Sequence, residues 1–299
     1  MVDRPAALPA AAAAADRTVL HGIGFMLLGT ALFTFNDALG KWLVVSVAVG
    51  QLLFIRSAAA FLILAPMIHR AGWRKVFVVE QPGWHSLRLV LIVLEVAAFY
   101  MAVRHLPLAD VMSVYQAGPL IVTVLAIPLL GERVGWRRGL AVGIGFIGVL
   151  LVLRPEAGVF SAPALIALAG AVGYALLMLS TRHLRAASNL TLIAWHTVGV
   201  GLCGLLTLPW GWMPLDWSTL ALLGLIGVVA TSAHVCMNQS LKLAPASVVT
   251  PYQYTSLLWA ILLGWLVFGD VPTGGMLLGA GIIVASGLFV LHREQKLKS

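Results

Sequence analysis

Ten apolar runs, each about 20 residues long and so able to cross the ~30 Å hydrocarbon core of a bilayer, constrain this chain more than any other feature. They lie at Val19–Leu39, Ser46–Ile68, Trp84–Val103, Leu108–Leu130, Trp136–Leu153, Ser161–Thr181, Asn189–Trp210, Trp217–Asn238, Ala246–Phe268 and Gly274–Leu291. The breaks between them are short and carry Gly72, Gln81-Pro82-Gly83, Pro107, Gly131, Arg154-Pro155, Pro214, Gly269 and Pro272, residues that punctuate helices. Hydrophobic residues make up 61% of the chain and charged ones 10%, whereas a soluble domain carries about 25% charged residues. No soluble fold of 299 residues could hide so much apolar surface. Lipid is therefore the expected solvent, and α-helix, which satisfies its own backbone, the expected element. The expected fold is an all-α membrane protein of ten transmembrane helices.

The net charge of +8 would suggest nucleic acid in a soluble protein. Here its placement gives a different reading. With the N-terminus inside, the inner segments hold Arg70, Arg74, Lys75, Arg133, Arg137, Arg138, Arg182, Arg185, Lys242, Arg293 and others, while the opposite side holds only Lys41, Arg104 and Arg154. Cations concentrate on the cytoplasmic side of membrane proteins, so both termini are expected in the cytoplasm of a multi-pass protein of the bacterial inner membrane. Residues 1–18 are Ala- and Pro-rich and lack a long apolar core. They are expected to form a disordered cytoplasmic tail, not a cleaved signal peptide, with residues 292–299 as a second tail. Trp42, Trp73, Trp84, Trp136, Trp210, Trp212 and Trp217 fall at expected span ends, as an interfacial aromatic belt requires.

The chain also repeats itself. Residues 106–116 (LPLADVMSVYQ) resemble residues 243–253 (LAPASVVTPYQ), and each segment leads into an apolar helix that ends in a Gly-acid step, Gly131-Glu132 or Gly269-Asp270. The two expected repeats, 19–153 and 161–291, hold five spans each. Five is odd, so the second half enters the membrane from the opposite side. Inverted repeats of this kind rock about a shared central site in many secondary transporters, which makes a central cavity between the halves the expected binding place. In this ten-helix duplication, with its Gly-acid steps and Gly-rich last helices, the chain resembles the EamA family of the drug/metabolite transporter superfamily. Within it, the resemblance is greatest to YddG-type amino-acid exporters. The resemblance implies outward transport of neutral or aromatic amino acids. The first alternative is another metabolite or drug class, such as nucleosides or toxic organic compounds; a passive channel or a membrane-embedded enzyme comes after it.

Polar groups at membrane depth are costly and mark candidate sites. Arg56 and Glu95 fall near the middle of the second and third spans. They could form a buried ion pair, clamp a zwitterionic substrate or couple transport to protons. Asn36 and Tyr115-Gln116 are expected in the outer third of their helices, and His234, Asn238 and Tyr252-Gln253-Tyr254 in the inner third. Amides and hydroxyls can bind the ammonium and carboxylate of an amino acid, and aromatic rings can stack on its side chain; equally, such groups can bond helix to helix. Tyr100, Tyr174, Trp195, His196 and Trp259 are further cavity candidates. Asp37, Lys41, Asp110, Glu132 and Asp270 are expected as solvated charges near helix ends. Gly118-Pro119 and Pro251 would interrupt two spans at matching places, as hinges or as static kinks. The glycines from Gly139 to Gly148 and from Gly275 to Gly287 are expected to bring the fifth and tenth helices together, with a homo-oligomer possible but not indicated.

Other classes fare less well. The sequence holds no His-Glu-x-x-His, Gly-x-Ser-x-Gly or Walker motif, so neither an enzyme nor an ATP-driven pump is expected. The eight histidines lack metal-ligand spacing, and Cys203 and Cys236 sit inside apolar runs. No metal, cofactor or nucleic-acid partner is expected; the partners are a small-molecule substrate and the bilayer.

Overall fold

A computed structural model describes residues 8–130, 135–153, 161–184, 186–244 and 246–298. Among the described residues there are helices and no strands. In chain order they are α1 (Leu8–Leu43), α2 (Val49–Ala71), α3 (Trp73–Phe77), α4 (Pro82–Val103), α5 (Leu108–Tyr115), α6 (Gly118–Leu130), α7 (Trp136–Leu153), α8 (Ala162–His183), α9 (Asn189–Leu206), α10 (Trp217–Leu243), α11 (Ala246–Val249), a 3-10 helix (Thr250–Tyr254), α12 (Thr255–Phe268) and α13 (Gly274–Lys298). Gly131-Glu132, the first of the two Gly-acid steps, and Arg154-Pro155 lie outside the described residues.

Eight helical segments are long and apolar enough to cross a membrane, with α5 and α6 together forming one of them. Two more apolar helices stand where the fifth and ninth spans were expected, and both fall short of that length. In α7 the apolar part is Gly139–Leu153, because Arg137 and Arg138 occupy its first turn. The ninth is divided: α12 has 14 residues and rises about 21 Å, while the five 3-10 residues before it add about 10 Å. The helices also reach further at the termini than expected. The Ala-rich run from Leu8 is helical and continuous with the first span, because alanine is the strongest helix former. Helix α13 likewise continues past His292 to Lys298.

The two halves pack through one another. Helix α1 lies chiefly against α10 and α12, and α8 chiefly against α4 and α6; α2 pairs with α9, α5 with α12, and α7 with α13. A two-fold relation between the halves exchanges α1 with α8, α4 with α10, and the α5–α6 segment with the span containing α12. It therefore turns the first set of contacts into the second and maps each remaining pair onto itself. Glycines make the closest approaches. A Cβ on Gly148 would lie 2.7 Å from the Gly279 carbonyl oxygen, and one on Gly279 would lie 2.6 Å from that of Gly148. The expected contact of the fifth and tenth helices is thus made at these two residues and at Gly145, where a Cβ would come 3.2 Å from Ser286 Cβ. Gly139, Gly143 and Gly281 meet nothing and take no part in it.

Both proline breaks are present. Pro119 has no N–H for the Tyr115 carbonyl, α5 ends at Tyr115, and α6 begins at Gly118 after a turn. In the second half Pro251 sits at the start of the 3-10 helix that separates α11 from α12. The outer faces of the bundle carry large apolar side chains such as Leu62 and Leu258 in the open, as lipid contact requires.

Candidate functional site

The two Tyr-Gln motifs meet. Gln116 follows the last residue of α5 and donates from Nε2 to the Gln253 carbonyl oxygen at 3.2 Å and to Ser256 Oγ at 2.9 Å. Helix α1 joins at the same place: Thr34 Oγ1 donates to the Ser256 carbonyl at 3.4 Å, and the Thr30 and Thr255 hydroxyls are 3.2 Å apart. The motifs were expected in opposite thirds of the bilayer. In the structure each lies at the interruption of its span, and Gln116 joins the two interruptions directly. The Gln253 carbonyl also accepts from the Thr255 backbone N–H, so Gln116 shares an acceptor at the interrupted span.

The charged residues gather beside this junction in a pattern the sequence did not give. Arg56 of α2 does not pair with Glu95. Its Nη1 donates to the Tyr100 hydroxyl at 3.0 Å, with the guanidinium carbon 5.7 Å from the centre of the Tyr100 ring. A second acid takes part: Asp37 of α1 accepts from Asn36 Nδ2 at 2.9 Å. Asp37, Arg56 and Glu95 lie within electrostatic range of one another, although no pair among them approaches within the 4.0 Å of an ion pair. Asp37 was expected as a solvated end charge. In fact it lies inside α1, about one and a half turns (at 3.6 residues per turn) before the helix ends at Leu43. Its neighbour Asn36 is 2% exposed, and the Oδ1 of Asn36 has no hydrogen-bond partner. Glycines seat these groups. A Cβ on Gly40 would strike the Tyr100 ring at 2.3 Å, and one on Gly227 of α10 would come 2.0 Å from the Arg56 carbonyl oxygen.

Aromatic rings extend the cluster. Tyr115 stands edge-on to Phe99 at 5.3 Å and lies 6.3 Å from Tyr174, and its hydroxyl donates to the Glu95 carbonyl oxygen at 3.3 Å. Gly170 leaves the room this requires, since a Cβ there would overlap the Tyr115 hydroxyl. On the other side His234 of α10 meets Phe33 edge-on at 4.7 Å and His196 of α9 at 6.2 Å, and both histidines lie within electrostatic range of Arg56 and of Arg88 on α4. Helices α1, α2, α4, α5, α8, α9 and α10 therefore all contribute to one connected polar and aromatic centre.

Several expected site residues stand apart from it. Tyr252 packs with Met26 and Val249 in an apolar cluster. The Tyr254 ring is buried against Gly287 and its hydroxyl is unpartnered. Trp259 is 37% exposed on α12, and Asn238, partly buried on α10, makes none of the contacts above. Trp195 packs near His85 and Phe77, away from Arg56.

A further contact joins the halves at the ends of α1 and α12. Gly269 ends α12 in the left-handed conformation, at φ 69°, where glycine is favoured. The chain then turns so that the Asp270 N–H meets the Gly264 carbonyl at 3.0 Å and its carboxylate meets Lys41 Nζ at 2.8 Å. The same Nζ lies 4.5 Å from the centre of the Phe268 ring. The second Gly-acid step thus makes an ion pair between halves, where solvated charges were expected. Among the described residues no group of three or more His, Cys, Asp or Glu could hold a metal, and Cys203 and Cys236 are free.

Comparison with known proteins agrees with the duplication. A family model described as the EamA-like transporter family matches residues 20–154 and again residues 161–292. Curated relatives include a riboflavin transporter of Vibrio cholerae, 31% identical over 245 residues that span 81% of this chain and 82% of that one. An S-adenosylmethionine uptake transporter of Rickettsia conorii is 24% identical across 94% of this chain and 95% of its own. A pseudopaline exporter of Pseudomonas aeruginosa is 25% identical across 91% and 97%. A crystal structure with 16% identity superposes with a TM-score of 0.60 over 95% of this chain and 99% of that one, which shows a shared fold. None of these relatives is named for an amino acid, so the expected likeness to YddG-type amino-acid exporters narrows to membership of the broader family.

Proposed function

The chain belongs to the EamA-like transporter family, and from that premise we propose that it carries a metabolite joining a flat heteroaromatic ring to a polar chain across the bacterial inner membrane, by alternating access. The observation that carries this reading is the junction of Gln116 with Gln253 and Ser256, where interrupted spans of both halves meet beside Arg56, Asp37 and Glu95. A substrate placed there touches both repeats at once, so rocking one against the other exposes it to either side. The breaks at Gly118-Pro119 and Pro251 serve as the hinges. Ten spans, with α7 and the segment from Thr250 to Phe268 as the fifth and ninth, leave both termini in the cytoplasm, in line with the distribution of cations.

The substrate class rests on two supports. Riboflavin and S-adenosylmethionine, for which two of the relatives are named, each combine a flat nitrogen heterocycle with a hydroxylated chain or sugar. The rings of Phe99, Tyr115 and Tyr174 can stack on the heterocycle, while Asn36, Arg56 and Gln116 bind the polar part. This displaces neutral amino acids as the expected cargo in favour of the nucleoside-like alternative. Relatives named for uptake and for export occur side by side, and here the gradients of the transported species set the direction. Riboflavin fluorescence gives a direct test. Titrating the purified protein should quench it saturably, with S-adenosylmethionine or other nucleosides competing. Competition by phenylalanine or tryptophan, with none by nucleosides, would return the cargo to amino acids.

A further inference from the structure

We propose that Asn36, Asp37 and Glu95 form a binding site for one positive charge, which is either a co-transported cation or proton, or a cationic centre on the substrate itself. The inference rests on the reading of this cluster as the transport site and specifies what that site must bind. Asp37 and Glu95 lie within electrostatic range of each other and of one guanidinium, that of Arg56. Arg56 spends its nearest donor on the neutral Tyr100 hydroxyl and makes no ion pair with either acid. The other groups acting on Glu95 from packed helices are the hydroxyls of Tyr100, Tyr115 and Tyr174, and His196 and His234 act on Arg56. A second guanidinium, that of Arg88 on α4, also acts on His196 and His234 and donates to the Leu192 carbonyl oxygen at 3.3 Å, but only Arg56 acts on Asp37 and Glu95 as well. Asp37 and Glu95 are both partly buried; two carboxylates beside one guanidinium leave a negative charge that is costly away from bulk water, and bringing one positive charge to it lowers that cost.

Asn36 independently points to a ligand. It is 2% exposed and its Nδ2 is committed to Asp37. Its Oδ1, an acceptor with two lone pairs, is buried without any partner. Buried acceptors are rarely left so. With the adjoining Asp37 carboxylate, which its Nδ2 holds at 2.9 Å, it offers oxygen acceptors, the chemistry that receives a hard cation, a proton or an ammonium- or sulfonium-like centre.

The test uses the full chain in proteoliposomes on a solid-supported membrane, with rapid jumps of Na+ at fixed pH, of pH at fixed Na+, of S-adenosylmethionine and of riboflavin. At least one jump that delivers positive charge should give a transient current. Asp37→Asn and Glu95→Gln should abolish it, while Glu80→Gln, a change in an exposed connection, should leave it intact. The Na+ and pH arms identify a coupling ion, and the S-adenosylmethionine arm a cationic substrate. Should both variants fold poorly, the unaltered protein is treated with dicyclohexylcarbodiimide. Labelling at Asp37 or Glu95 that the active cation suppresses supports the site, and labelling indifferent to every cation overturns it. Currents that are absent, or equal in wild type and both variants, also overturn it. Radiolabelled uptake in the same vesicles separates the two readings. Saturable riboflavin uptake without any cation current sinks the charge site alone. Asp37-dependent currents without uptake of either metabolite sink the substrate class alone.

Discussion

Replacing Gly227 by alanine should loosen the bundle at Arg56 and impair transport more than it impairs folding. An ideal Cβ at Gly227 falls 2.0 Å from the Arg56 carbonyl oxygen, 2.9 Å from its carbonyl carbon and 3.1 Å from Ala59 Cβ. Real Cβ contacts essentially never fall under 3.0 Å. The two backbones must therefore part by about 1 Å (3.0 − 2.0). Overpacking of this kind costs about 1–3 kcal/mol, and the gain in helix propensity from glycine to alanine returns about 1 kcal/mol. The expected net loss is about 1 kcal/mol, a modest fall in melting temperature. The same shift carries the Arg56 guanidinium away from a hydrogen bond of 3.0 Å to Tyr100, so substrate binding should weaken by more than the loss of stability accounts for. Gly224, one turn earlier, is the control, since its Cβ would meet only Ala59 Cβ at 3.9 Å, an ordinary contact. Thermal unfolding in detergent can be followed by labelling of Cys203 and Cys236, which are free and partly buried. Paired uptake measurements complete the test. A Gly227→Ala protein that melts and transports like wild type, or a Gly224→Ala protein equally damaged, would refute this account of how α10 positions Arg56.

Further outcomes are expected. Gln116→Leu removes two hydrogen bonds that join the halves; interhelical bonds in membranes average about 0.6 kcal/mol each, so the protein should still fold while uptake falls sharply, with Gln116→Asn intermediate. Lys41→Met or Asp270→Asn should hardly change the melting temperature, because a partly exposed ion pair contributes only about 0–1 kcal/mol. Either should make a cysteine placed near Phe268 more reactive, and the exchanged pair Lys41→Asp with Asp270→Lys should reverse this. Gly170→Ala should displace the Tyr115 ring from its seat, which tryptic sensitivity and riboflavin quenching would both register. Hydrogen bonds from Ser218 and then Thr219 hold the Asp216 carboxyl down to about 2, so what its charge contributes at the start of α10 is present above the ordinary carboxylate range and lost only as pH falls through about 2. The melting difference between Asp216→Asn and wild type should be flat with pH throughout the neutral region.

The architecture was legible because apolar run length and the positions of Gly and Pro act locally. Pro119 and Pro251 announced the two interruptions, and the paired Tyr-Gln motifs announced the duplication. What local signals could not supply was pairing. Arg56 and Glu95 were matched by depth along their own helices, yet side-chain direction sends Arg56 to Tyr100. Asp37 carried a usable signal, an acid inside an apolar run next to Asn36, but its nearness to the end of that run made it look solvated. Lys41 and Asp270 lie 229 positions apart, and only the left-handed turn at Gly269 brings them together. The glycines split for the same reason: Gly143 shares a helix with Gly148, and Gly281 with Gly279, and the turn of each helix decides which of them meet a neighbour.

Counterflow tests the central claim most directly. Proteoliposomes containing the full chain, preloaded with unlabelled riboflavin or S-adenosylmethionine, should take up the labelled compound in a saturable burst that external competitor suppresses. Arg56→Gln and Gln116→Leu should lose the burst. Flux of both compounds that stays linear with concentration and gains nothing from preloading, or a burst that survives both substitutions, would contradict a carrier working through a site between the repeats.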